Sequence, residues 1–241
     1  MIWRIIASLF LILQGPAFPG PGSGPFVAGA RAFSSPAANH FCYARITSGT
    51  AIACTLATAP AAGSFVTVSV SAWGPSGGAS LTISDGTNSY TVLGPSNANF
   101  GSAGYAWMGY WAPTVTGGTT ITATLTGGTC QFCSIGVDNW GVSGGVGSVA
   151  LQSGTSVTGS GTGTAINTPT IVPSPIGSLL VCYAATLHGG ITATGSPWTA
   201  DPNGIGSVGD ETEYILSSSG SQACNFTQNT GDWDSIGASF L

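Results

Sequence analysis

The chain has 241 residues, of which only 5% are charged, 43% hydrophobic and 10% aromatic, and its net charge is −5; an ordinary globular chain carries roughly 25% charged residues. Disorder requires high charge and few aromatics, so this composition belongs to a chain that folds. It has no lysine and only three arginines, Arg4, Arg31 and Arg45, so no basic patch exists to hold phosphates and nucleic acid is excluded as a partner.

The first 40 residues read differently from the rest. "MIWRIIASLFLIL" places one arginine before a nine-residue apolar run, the outline of an export signal and too short to span a bilayer as a helix. "QGPAFPGPGSGPFVAGARA" then puts a Pro/Gly stretch before the first small-x-small site, near Ala28–Ala30. Two readings stay open for residues 1–40: a signal, or an extended arm that docks on a neighbouring subunit.

From residue 41 the pattern is that of strands. "FCYARI-TSG-TAIACTL" reads as a hairpin centred on Ser48. "SFVTVSVSAW" puts Val66, Val68 and Val70 on one face and Thr67, Ser69 and Ser71 on the other, the alternation of a half-buried antiparallel strand. "SDGTNSY" and "ADPNG" are turn chemistry. "GYAWMGYW" places Tyr105, Trp107 and Trp111 on one face and Met108 and Tyr110 on the other. An exposed aromatic row of this kind stacks on sugar rings or on another subunit; the plainer account is that these rings form the core of their own domain. "TTITATLTGG" sets Ile121, Ala123 and Leu125 against threonines. No stretch after residue 40 has helical periodicity with caps, so the expected class is all-β.

The chain also repeats itself. "GTAI" stands at 49–52 and again at 163–166, an offset of 114 that also joins Gly63-Ser64 to Gly177-Ser178. "TLTGGTCQFCSIGVD" (124–138) matches "NFTQNTGDWDSIGAS" (225–239) at an offset of 101, which lays Ser134-Ile135-Gly136 on Ser235-Ile236-Gly237. A period near 100 means two domains rather than a solenoid. The expected organisation is therefore an arm over 1–40 and two tandem antiparallel β-sandwiches, jelly-roll-like, over 41–148 and 149–241.

Six cysteines fit this frame. Cys182 and Cys224 map to Val68 and Ala123, apolar positions of the first copy, and read as one buried disulfide. Cys42, Cys54, Cys130 and Cys133 have no cysteine counterparts. They allow a Cys42–Cys54 bond with "CQFC" closed on itself, or a bond from Cys54 to Cys130 or Cys133, and spacing does not choose among the connectivities. A zinc site from the same four has poor ligand spacing, and an even count favours disulfides.

Catalytic motifs are scarce. G-x-S-x-G occurs as "GPSGG" (74–78) and "GVSGG" (141–145), but neither is followed by the helix a nucleophile elbow needs. His40 and His188 lack a serine and carboxylate in recognisable order. Six of the eight acids fall after residue 200, and "GDETEY" gathers Asp210, Glu211 and Glu213. A solvated charged edge that discourages strand pairing is the plainest account. Oxygen ligands for Ca²⁺, or a carboxyl pair for glycoside hydrolysis, are the chemical ones. No other cofactor is indicated.

The two "G-S-hydrophobic strand … SIG" copies, lysine-free and rich in Gly, Ser and Thr, resemble the β-sandwich modules of phage tail-fibre and virion-surface proteins and of secreted bacterial surface proteins. The resemblance covers residues 42–241. It implies a non-catalytic structural or adhesive role in a homo-oligomer that is extracellular, at a cell surface or on a virion. Copies of the same chain are then the expected partners, with surface glycan as a further one. A secreted carbohydrate-binding monomer is the alternative, and a glycan-cleaving enzyme a distant third.

Overall fold

The computed structural model describes residues 31–37, 41–74, 79–96, 104–112, 116–144, 149–152, 154–173, 177–201, 209–216, 218 and 220–241. Among them there are fifteen strands and no helix, and every strand pairing is antiparallel. In the first copy the pairs are nested. Strand β2 (Phe41–Ile46) joins β9 (Phe132–Ser143), β3 (Ala51–Thr55) joins β8 (Thr120–Thr126), and β4 (Phe65–Trp73) joins β7 (Gly104–Trp111). β4 also pairs with β9, β5 (Ser80–Ser84) with β8, and β6 (Thr91–Leu93) with β7. One sheet thus runs β2-β9-β4-β7-β6 and faces a second, β3-β8-β5, the nested order of a jelly roll.

The second copy repeats that order. β10 (Val157–Asn167), β15 (Asn225–Phe240), β11 (Leu179–Thr186), β14 (Asp210–Ile215) and β13 (Thr199–Ala200) follow one another in the large sheet. β10 and β15 are long because each serves both layers. Residues 157–163 pair with 231–237, and beyond a shift at Gly163/Ala165 residues 165–167 pair with 225–227, where β12 (Thr192–Ala193) joins them. The corner explains the repeated "GTAI". Gly49, bridged to Cys130, and Gly163, paired with Gly231, have φ of 149° and 139°, a region that only glycine enters cheaply. Each marks the point where the chain leaves the large sheet for the small one.

A short strand closes each copy. β1 (Ala32–Ser34) pairs with the end of β9, and Ala150 and Gln152 bond the backbone of Leu241 and Ser239 beside β15 in the same way. β1 lies inside the segment read as an arm, so the fold starts before residue 41. Phe33, buried, sets its ring 6.3 Å from that of Phe65.

The second register differs from the sequence match. Val68 lies opposite Val137, and Cys182 lies opposite Gly237. Val68 and Cys182 both face the core of their own sandwich, as the offset of 114 requires. Val137 therefore corresponds to Gly237, an offset of 100, and the two Ser-Ile-Gly triplets are one residue out of step. Ile135 faces its own core while Ile236 faces the other sandwich; a slip of one residue inverts every side chain of a strand. Cys224, whose carbonyl accepts from Thr168, takes the place of Ile121, not of Ala123.

The largest correction concerns packing. Val66, Val68 and Val70 enter the first core, as expected, but Thr67 and Ser69 are 1% exposed. The two large sheets lie back to back, so the polar face of β4 meets the second sandwich instead of water. Phe65, Met108 and Trp140 from one copy close on Val181, Ile236 and Phe240 from the other, with the Phe65 and Phe240 rings 4.8 Å apart. Burial on both faces, at about 25 cal/mol per Å² of apolar surface removed from water, makes this seam a third core.

The disulfides are Cys42–Cys54, Cys130–Cys133 and Cys182–Cys224, with Cα separations of 5.8, 6.0 and 5.7 Å. The four cysteines of the first copy thus pair off, which removes the zinc reading. Three disulfides belong to an oxidising, extracellular environment. No helix among the described residues is long and apolar enough to cross a membrane.

Candidate functional site

The aromatic row is not on the surface. Tyr105 is 7% and Trp107 1% exposed, and Trp111, partly buried, packs its ring 5.5 Å from Tyr90. All three line the first core, because their face of β7 lies beside Val66, Val70 and Ala72 on β4. They offer no exposed row to a sugar or a subunit. His40 and most of "GPSGG" lie outside the described residues. His188 is exposed in a turn, where its N–H bonds the Thr186 hydroxyl at 3.1 Å.

The acids are not a solvated edge either. Asp201, Asp210, Glu211, Glu213 and Asp234 are all buried. Nor do Asp210, Glu211 and Glu213 form one metal site, since neighbours on a strand point to opposite faces. Asp210 shares the seam face with Ala185, whereas Glu211 and Glu213 lie opposite Ala184 and Cys182, on the core face. Among the described residues no group of three or more His, Cys, Asp or Glu converges to hold a metal ion.

Asp210 is the centre of a polar cluster in the seam. Ser134 donates to its Oδ2 through a very short bond, Tyr43 donates to Oδ1 at 3.2 Å, and the Tyr183 hydroxyl lies 3.3 Å from Oδ2. With the Ser134 proton committed to Asp210, Ser71 donates to Ser134 at 2.6 Å. The residues come from five strands of both copies: β2, β4, β9, β11 and β14. Burial raises the Asp210 pKa above the ordinary carboxylate value, while the hydroxyl donors and the charge of Arg45 oppose that rise. Burial first, and then the charge of Asp210, raise the phenols of Tyr43 and Tyr183 as well, so both remain donors. A slot lined by Arg45, Ser71, Phe132, Ser134, Leu187 and Asp210 reaches the cluster, with space for about one water molecule. The arrangement suits holding two sheets in register better than admitting a substrate.

The other face of β14 carries a second cluster. Glu213 is fully buried; its Oε1 accepts the Asn225 N–H at 2.9 Å, and its Oε2 has no hydrogen-bond partner. Burial, with a smaller contribution from the charge of Glu211, pushes its pKa up to about 8. Sequence reasoning singled out Asp210, Glu211 and Glu213 but missed Tyr43, Ser71, Ser134 and Tyr183. The available signal was the polar face of β4, which would have needed a partner sheet to be read as buried.

No protein-family model, curated protein or solved structure matches the chain.

Proposed function

We propose that this protein is a non-enzymatic structural subunit of an extracellular or virion-surface assembly, built from copies of itself. The observation that carries the reading is how the side chains are divided between inside and outside. Aromatics and acids are spent in the interior, while the outward face of the small sheet displays Thr55, Ser80, Thr82, Thr120, Thr124 and Thr126, all exposed and uncharged. Hydroxyl and methyl groups cost far less to desolvate than charges. β3 and β5 flank that face with no charge, proline or bulge in their sequences, the devices by which edge strands usually resist pairing. An added strand from another copy would gain backbone hydrogen bonds along β3 and along the start of β5, whose Ile83 carbonyl already accepts the Tyr90 N–H. Jelly rolls serve in viral capsids and lectins alike, and burial of the aromatic row favours the first use here.

The test is the state of the purified protein. Size-exclusion chromatography and negative-stain electron microscopy are expected to give particles or filaments well above the 23.8 kDa of one chain. A monodisperse monomer across the concentration range would overturn the proposal.

A further inference from the structure

Strand β14 is the most acidic strand among the described residues and has acids on both faces. No lysine occurs anywhere and the last arginine is Arg45, so the second sandwich has no lysine or arginine of its own to pair with them. On the core side Glu213 meets Glu211 of its own strand, Cys182 of β11, which is held in a disulfide, and the Asn225 amide at the start of β15. β12 and β13 contribute only threonine and alanine. On the seam side Asp210 faces Tyr43 and Arg45 of β2, Ser134 of β9, Ser71 of β4 and Tyr183 of β11, and Asp234 of β15 lies across Ala185 in the same row.

We propose that β14 is a proton-held strand: it stays docked on β11 while Glu213 keeps its proton, and it loosens, drawing Asp210 out of the seam, when Glu213 ionises. Glu213 is 0% exposed and its Oε2 has no hydrogen-bond partner, so its carboxyl cannot be charged in the core without a large desolvation cost. The strand is also placed to give way. It pairs with β11 along its whole length, but among the described residues the outer side is held by the two-residue β13, through Thr199–Tyr214 and Ala200–Glu213, and by the Asp201 N–H, which donates to the Thr212 carbonyl at 2.9 Å.

The direction with pH follows from the shift. Glu213 moves from 4.5 to about 8 on folding, so the folded state binds its proton more tightly than the unfolded chain does. Its contribution is complete below pH 4.5 and is lost as pH rises through about 8. Asp210, also raised, acts with the same sign.

Hydrogen exchange of the full-length protein, read by mass spectrometry at pH 6 and pH 9 and corrected for intrinsic rates, tests this. Protection of the β14 amides is expected to fall about tenfold or more at the higher pH, with β4 and β9 unchanged. Glu213→Gln keeps the acceptor for Asn225 and removes the charge, so it is expected to abolish the difference; Glu213→Met, which cannot ionise either, serves if that variant does not fold. Equal protection of β14 at both pH values in the wild type overturns the proposal, as does an undiminished loss in a folded variant. Restoration of protection at pH 9 by added Ca²⁺ also overturns it, because Glu213 and Glu211 would then hold a metal in place of a proton.

Discussion

Gly136 and Gly237 end two identical Ser-Ile-Gly triplets, yet they live in different surroundings. A Cβ on Gly136 would meet nothing within 4 Å, whereas one on Gly237 would lie 2.5 Å from the Cys224 sulfur and 3.1 Å from that of Cys182. The disulfide cannot swing aside, so the backbone of β15 would have to move. Gly237→Ala is expected to destabilise the protein by about 1–3 kcal/mol. Gly136→Ala is expected to be neutral or to stabilise by less than about 1 kcal/mol, through the unfolded chain. Urea denaturation of the two variants measures the contrast, and equal effects would restore the triplet alignment. The same scale shows why the seam cluster was hard to read. Ser71 and Ser134 are ordinary polar strand residues until a second sheet buries them, and only then does the Ser134 hydroxyl become a partner for Asp210, with Ser71 behind it.

At the scale of elements, the strands are legible because their alternation is local. β3, β5 and β8 bury every second residue, as the pattern of one buried face predicts. β4 and β11 break the rule, being buried on both faces, and nothing in the alternation of β4 announces it. The disulfides act on elements too, each closing a different span: 42 residues for Cys182–Cys224, 12 for Cys42–Cys54 and 3 for Cys130–Cys133. In the chain-entropy account these loops contribute about 4, 3 and under 2 kcal/mol respectively. Replacing each pair with alanine is expected to lower the denaturation midpoint in that order. A larger loss from the Cys130–Cys133 pair than from Cys182–Cys224 would contradict the account.

For the whole molecule the duplication has a consequence that tandem domains would not have. Cutting the chain between the sandwiches exposes Phe65, Met108 and Trp140 on one half and Val181, Ile236 and Phe240 on the other. Apolar patches of that size seek a partner. Halves comprising residues 1–146 and 147–241, expressed separately, are expected to aggregate or self-associate, and co-expressed they are expected to co-purify as a 1:1 complex. Affinity capture of one tagged half reads this directly, and two soluble, independent monomers would show the seam to be dispensable.

The amino-acid sequence by itself determined the strand class, the apolar face of each half-buried strand and the twofold plan, because each rests on local periodicity or on a glycine that a corner requires. Gly49 and Gly163 are legible for that reason. Tertiary structure alone decided which polar faces meet water, how Cys42, Cys54, Cys130 and Cys133 pair, and that Asp210, Glu211 and Glu213 lie inside. Those outcomes depend on which sheet comes to rest on which. A side chain's environment is set by the layer opposite it, and no neighbour along the chain carries that information.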